Sequence, residues 1–342
     1  VTGSLSDRLT DLGVVVVGRN EGGRLGVCLR SLLAFTRRLV YVDSGSRDDS
    51  VAHAQALGVF VWRLDPSRPF SAARARNEGF SQLLRQFPDL EFVQFVDGDC
   101  QIDGDWLTRG RDYLVTHAEV TIACGRICER HPEASPYNRM CALEWDRPAG
   151  EVRASGGNLM MRVAAFRELG GFRDDVMAAE DDELCLRVRR AGGHIHLLDA
   201  PMVLHDADLL RFSQWWRRAR RCGQAYAQGF ALHGQPPENH FRRETRSLMV
   251  WAALWPALIV LLAAFTRGAG LLLLAAYPAL GLRIARRGLT RGWPLRHAVL
   301  YAFFTLLAKW PGFIGLAAFH VRRWRGQAPA LIEHKEIRLG HH

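Results

Sequence analysis

Two aspartates separated by one glycine, Asp97-Gly98-Asp99, stand directly after the apolar run 92–96. A carboxylate pair at the mouth of a buried strand is a hard oxygen donor set. It suits Mg2+ or Mn2+, ions that keep some waters and share the phosphates of a bound substrate. The intervening glycine lets a ligand approach the backbone closely. The chemistry predicted is capture of a nucleotide diphosphate through a divalent cation. A second acidic run, Glu180-Asp181-Asp182-Glu183, can raise one carboxylate pKa by mutual repulsion, as a general base requires. The same run also suits the positive end of an ordinary helix, with Leu184 and Val188 pointing inward. His205-Asp206 follows the strand-like 202–204; a neutral imidazole there could ligate Mn2+ or be structural. Cys124-x3-Cys128-x2-His131 is poorly spaced for zinc and reads as core or loop thiols.

These residues need a scaffold that brings distant positions together. Runs 14–17, 39–42, 59–62, 92–96 and 120–124 are of strand length, and most are separated by stretches able to hold a helix. That alternation predicts an α/β fold, a mostly parallel sheet with helices on both faces. In such sheets ligands sit beyond the carboxyl ends of the strands. Those ends carry Gly18-Arg19-Asn20-Glu21, Asp43-Ser44-Gly45-Ser46 and Asp97-Gly98-Asp99, so three strand ends should share one crevice.

The 342 residues carry a net charge of +10, divided unevenly. Residues 1–205 hold 25 basic and 29 acidic side chains, whereas 206–342 hold 20 and 6. An apolar share of 48% excludes a disordered chain. Seven irregularly spaced cysteines do not suit a disulfide framework. The polar stretch 1–11 lacks the apolar run of a secretion signal. Reduced thiols in a cytosolic compartment are expected.

The last third changes character. Residues 248–266 form 19 uncharged positions bounded by arginines, close to the roughly 20 that cross a bilayer core. Residues 268–282 suit the return limb of a hairpin. Arg283, Arg286, Arg287, Arg291 and Arg296 then mark a cytoplasmic loop. Residues 298–319, interrupted by Lys309 and Pro311, either span or are re-entrant; Arg322, Arg323 and Arg325 stay cytoplasmic only in the second case, which is favoured. A buried helical core in a soluble protein is the bland alternative for all three. Before them, Phe212, Trp215, Trp216, Ala219, Cys222, Gly223, Tyr226 and Phe230 recur at helical spacing, flanked by Arg217, Arg218, Arg220 and Arg221. That helix suits an anionic lipid surface, with the rings in the headgroup layer, or else packs on the body. The basic stripe could also serve nucleic acid, but no fold signature supports that, and the adjacent apolar runs favour lipid.

From about 13 to 205 the chain resembles the inverting family 2 glycosyltransferases of GT-A fold, with a membrane-anchored bacterial subgroup resembling the remainder. The resemblance rests on six motifs in order: Val14-Val-Val-Val-Gly-Arg-Asn-Glu21, Val42-Asp-Ser-Gly-Ser-Arg-Asp48, Ala75-Arg-Asn-Glu-Gly79, Asp97-Gly-Asp99, Gly156-Gly-Asn-Leu-Met-Met-Arg162 and Glu180-Asp-Asp-Glu-Leu-Cys-Leu-Arg187. It implies Asp181 as catalytic base and Asp97, Asp99 and His205 as metal ligands. Asn20, Glu21, Asp43, Arg76, Asp97, Gly157 and Asn158 would bind the nucleotide sugar. Glu180, Gln214, Trp215, Trp216 and Arg217 would meet the acceptor or the interface. Gly18-Arg19 and Ser44 depart from the usual residues, and Arg218 stands where processive synthases carry Trp, which argues against processive polymerisation.

The resulting expectation has a catalytic domain over 1–205, interfacial helices over 206–247, membrane helices over 248–320 and a basic tail over 321–342. One sugar would pass from a nucleotide-diphosphate donor, with inversion and Mg2+ or Mn2+, to a lipid-linked or polysaccharide acceptor at the cytoplasmic face of a bacterial inner membrane. The rivals are transfer to polyprenyl phosphate and a non-catalytic scaffold of the same fold.

Overall fold

The computed structural model describes residues 9–327. They fall into two compact units, 9–131 with 144–208 and 132–143 with 209–327. Strands up to residue 208 are β1 (Leu12–Gly18), β2 (Leu39–Asp43), β3 (Phe60–Arg63), β4 (Phe92–Asp97), β5 (Cys100–Ile102), β6 (Val120–Glu129), β7 (Gly150–Glu151), β8 (Leu159–Arg162) and β9 (His194–His205). The helices in the same stretch are α1 (Gly23–Leu33), α2 (Ser50–Ala56), α3 (Ala72–Gln86), α4 (Trp106–Thr116), α5 (Pro136–Trp145), α6 (Val163–Glu168) and α7 (Glu180–Arg190).

The four consecutive valines of β1 make sense only if both faces of the sheet are covered. Val14 and Val16 pack with Leu25 and Leu29 of α1, while Val15 and Val17 pack with Leu83 of α3. The sheet runs β3-β2-β1-β4-β8-β6-β9-β5, with β7 beside β9. Strands β3, β2, β1 and β4 are parallel, so their carboxyl ends lie along one edge. Register there sets Gly18 opposite Asp43 and Val17 opposite Asp97. The other half is mixed: β8 runs antiparallel to β4 and β6, and β9 lies parallel to β6 and antiparallel to β5. His205 at the end of β9 is thereby in register with Cys100 on one side and Glu129 on the other. Helix α3 begins at Ser71, whose hydroxyl accepts from the Arg74 N–H. It approaches the sheet at Gly79, where an added Cβ would fall 2.5 Å from Val15 and 2.7 Å from Val42.

The second unit is helical: α8 (Phe212–His233), α9 (Arg242–Met249), a π-helical turn at Val250–Leu254, α10 (Trp255–Phe265), a 3-10 stretch at Ala269–Ala275, α11 (Ala276–Thr290), α12 (Leu295–Leu307) and α13 (Lys309–Trp324). Pro256 in the first turn of α10 has no N–H to give to the preceding turn, and the helix widens there. Three stretches are long and apolar enough to cross a membrane: Arg242–Phe265, Ala269–Thr290 and Leu295–Trp324. Large apolar side chains such as Val260, Phe265, Leu272 and Phe303 are exposed along them. The tail beyond residue 327 lies outside the described residues.

Helix α8 corrects part of the sequence reading. The expected spacing is present, but the face it buries meets protein. Gly223 lies against the Gly312 carbonyl, and Gly315 of α13 lies against Arg220 and Gln224, so the two helix backbones cross closely. Trp215 is 3% exposed and packs with Tyr137 and Phe304, ring centroids 6.3 and 5.0 Å away. It is not a ring offered to headgroups or to a sugar. Gln214 is equally committed, its Oε1 accepting from the Leu210 and Arg211 N–H groups at 2.9 Å as a helix cap. Trp216 and Arg217 are half-buried.

Candidate functional site

The edge where β1, β2 and β4 end gathers most of the residues singled out from the sequence. Arg76, projecting from α3, is the hub. Its guanidinium donates to Asp97 Oδ1 at 2.7 Å and to Glu180 Oε1 at 2.5 Å, tying the end of β4 to the start of α7. Its side chain is 3% exposed. Burial opposes the Arg76 charge, but Asp97, Glu180 and Asp181 outweigh it and raise its pKa. Gly157 passes beside this pair: a Cβ there would fall 2.5 Å from an Arg76 nitrogen and 3.1 Å from Asp97 Oδ2. Asn158 Oδ1 accepts the Asp97 N–H at 3.0 Å, and its amide faces Asp97 Oδ2 at 3.4 Å. Arg76 is thus a buried strut between two carboxylates, and Glu180, 5% exposed, is turned to Arg76.

The acidic run opening α7 divides by helical geometry. Glu183 turns inward and binds Arg187 at 2.8 Å, and Arg187 also donates to the Leu169 and Gly171 carbonyls at 2.7 Å. Asp181 faces the cleft side, with Oδ2 3.9 Å from where a Gly156 Cβ would stand. Burial, then Asp182 and Glu180, push its pKa up to about 7, against the lowering influence of Arg76. A carboxylate so placed can accept a proton near neutral pH. Asp99 and Asp181 are thus linked through Asp97, Arg76 and the loop 156–158.

At the other side of the β4 end, Asp99 Oδ2 lies 3.3 Å from His205 Nε2. The opposite ring nitrogen, Nδ1, lies 3.3 Å from Glu129 Oε2, and the Glu129 carboxylate also accepts the Ala207 N–H. In the tautomer that donates Nδ1–H to Glu129, the Nε2 lone pair faces an Asp99 oxygen. Two lone-pair atoms that close require a proton or a cation between them, so the donor set fits a divalent ion. Ligand atoms of Asp99, Cys100 and His205 all lie within 4.8 Å of one another. Asp97 is outside that group. Cys100 and Glu129 were missed in the sequence, Cys100 although it adjoins the Asp-Gly-Asp motif; no local pattern marked Glu129, which only strand register brings to His205.

Asn20, Glu21 and Asp43 line the β1 and β2 ends. Asn20, at φ 55°, accepts the Arg47 N–H at 2.8 Å, and Glu21 pairs with Arg24 at 2.9 Å. Asp43 accepts from Tyr41, Gly45 and Ser46, shaping the turn that follows β2. Arg24 also donates to the Asp206 carbonyl and approaches Asp208, joining this loop to the segment after His205.

A parallel-sheet edge continued by a mixed half, with helices on both faces, defines an α/β domain of GT-A-like architecture. Residues 13–170 match the Glycosyl transferase family 2 model. A pre-mycofactocin glycosyltransferase of Mycobacterium tuberculosis is 27% identical over 216 residues, covering 57% of this chain and 43% of the relative. The chain therefore spans less than half the length of that curated relative. Among solved structures, a mannosyltransferase from Pyrobaculum calidifontis in complex with GDP-Man and Mn2+ aligns over 87% of this chain and 85% of its own, with a TM-score of 0.56 at 21% identity. That likeness is one of fold.

Proposed function

We propose that the protein is a membrane-associated, inverting glycosyltransferase that moves one sugar from a nucleotide-diphosphate donor to a membrane-held glycan or lipid. The observation that supports this reading is that Asp97, tied through Arg76 to Glu180, lies with Asp181 beside Gly156 and Gly157, while Asp99, two residues on, meets His205. The proposed donor belongs to the same class as the GDP-Man of the Pyrobaculum neighbour. Asn20, Glu21 and Asp43 are assigned to the nucleotide side of the cleft. Gly157 keeps the Arg76–Asp97 pair open to the donor, because any side chain there would collide with it.

Asp99 and His205 would hold Mg2+ or Mn2+, with Asp97 contributing through water or its less committed oxygen. When bound, such a cation would supply positive charge to the departing diphosphate. Asp181 takes the proton from the acceptor hydroxyl as that oxygen attacks the anomeric carbon on the face opposite the leaving group. Arg76 holds Glu180 and Asp97 apart and offsets the negative charge around Asp181. The three apolar stretches and the arginines after them support association with a bacterial inner membrane, catalytic domain in the cytoplasm. The acceptor is then a polyprenyl-linked glycan, a glycolipid or a growing surface polysaccharide, with bare polyprenyl phosphate as the alternative.

Membranes carrying the protein are incubated with labelled nucleotide sugars, Mn2+ and candidate acceptors. Label in a glycan supports the principal reading and label in polyprenyl phosphate the alternative. Absence of transfer across the donor panel would return the chain to the scaffold reading.

A further inference from the structure

We propose that Cys100 is a ligand of the candidate cation site, so that Asp99, Cys100 and His205 together bind a thiophilic divalent cation such as Zn2+ or Co2+. The inference rests on the reading of Asp99 and His205 as metal ligands and adds a sulfur to it. Cys100 opens β5 directly opposite His205, and Glu129 lies opposite the same histidine on β6, so three adjacent strands present thiol, imidazole and supporting carboxylate in one row. The thiol is 1% exposed. Its sulfur lies 3.5 Å from Asp99 Oδ1 and 3.5 Å from the Asn158 amide, which orients it toward the aspartate. Among the described residues, no second group of three His, Cys, Asp or Glu side chains converges in this way. The Cys124, Cys128 and His131 set weighed from the sequence does not.

A carboxylate oxygen, an imidazole nitrogen and a thiolate are three of the four positions of a tetrahedral Zn2+ site, leaving one open. Thiolate selects soft cations, whereas Mg2+ and Mn2+ take the oxygens and water. As the metal–sulfur bond forms, the thiol proton passes to solvent. Any N/O site favours Zn2+ over Mn2+ to some degree, so the distinguishing consequence is dependence on the sulfur. Zn2+ affinity should need Cys100, and Mn2+ affinity should not. Zn2+ would then displace Mn2+ from the cleft and inhibit transfer.

The test uses the full chain purified in detergent. Co2+ is added, and the thiolate-to-cobalt charge-transfer absorption is followed for wild type, Cys100→Ser and Cys128→Ser, the last removing an exposed thiol. Zn2+ and Mn2+ affinities are measured by competition with a chromophoric chelator. The expected result is a band in wild type and Cys128→Ser that is absent from Cys100→Ser. Zn2+ affinity should fall at least about tenfold in Cys100→Ser while that for Mn2+ changes less than about threefold. X-ray absorption of the wild-type zinc form should show sulfur at about 2.3 Å, a readout that needs no variant to fold. Cobalt binding without the band, or zinc without a sulfur neighbour, would overturn the role of Cys100 and leave the Asp99–His205 reading intact. No binding of Mn2+, Co2+ or Zn2+ to wild type would remove both.

Discussion

Asp181 and Glu180 are adjacent in sequence but face different ways, because successive residues of a helix point about 100° apart. Glu180 is turned to Arg76 and Asp181 to the cleft, and burial with two acidic neighbours raises the Asp181 pKa to about 7. The proposed base Asp181 must be deprotonated to act, so kcat should rise about tenfold per pH unit below 7 and level off above it. Asp181→Asn should lower kcat by about 10²–10⁴-fold with donor affinity little changed; single-turnover assays and nucleotide titration would measure both. The stability effect has the opposite sense. The folded carboxyl holds its proton where the unfolded chain has lost it, so its contribution is fully present in acid and is lost as pH rises through about 7. The Asn variant should therefore gain Tm relative to wild type between pH 5 and pH 8. At His205, Glu129→Ala should weaken Mn2+ binding by about 10–100-fold, measured by calorimetry, by releasing the imidazole from its orientation.

At the scale of elements, α3 fixes the cleft wall by touching β1 and β2 at Gly79 and by reaching α7 through Arg76. Gly79→Ala should cost about 1–3 kcal/mol in urea unfolding, since its methyl would collide with Val15 and Val42, both held in the sheet. Removing the strut is costlier: Arg76→Ala leaves Glu180 and Asp97 without their shared cation and should cost about 3–5 kcal/mol. Strands β1, β2 and β4 were legible as apolar runs because they are buried on both faces, whereas the edge strand β3 is largely exposed. β5 and β7, three and two residues long, were not legible, since runs so short carry no periodicity.

For the whole molecule, the basic last third and its exposed apolar helices belong to one unit that also recruits residues 132–143. Ser135 donates to the Leu209 carbonyl, and Asn138 accepts the Leu209 N–H. A fragment ending at 208 would strip that segment of these partners and of the Trp215 and Phe304 rings around Tyr137. Limited proteolysis should cut such a fragment within 132–143 while sparing the same segment in the full chain. The full chain should stay in the pellet after alkaline carbonate extraction and be released by detergent, as expected if its three apolar stretches lie in lipid.

The sequence alone determined the buried strands, the apolar helices and the residues of the cleft edge, because each depends on side-chain type within a few neighbouring positions. It also placed the Asp-Gly-Asp pair at a strand end, where chain direction is a local property. The pairing of Arg76 with Glu180, of Glu129 with His205 and of Cys100 with His205 was decided only in three dimensions. Those pairings join residues 104, 76 and up to 105 positions apart. Strand order and register bring them together, and neither leaves a local trace in the chain. The same holds for α8: spacing gave its apolar face, but only packing against α13 decided that the face meets protein.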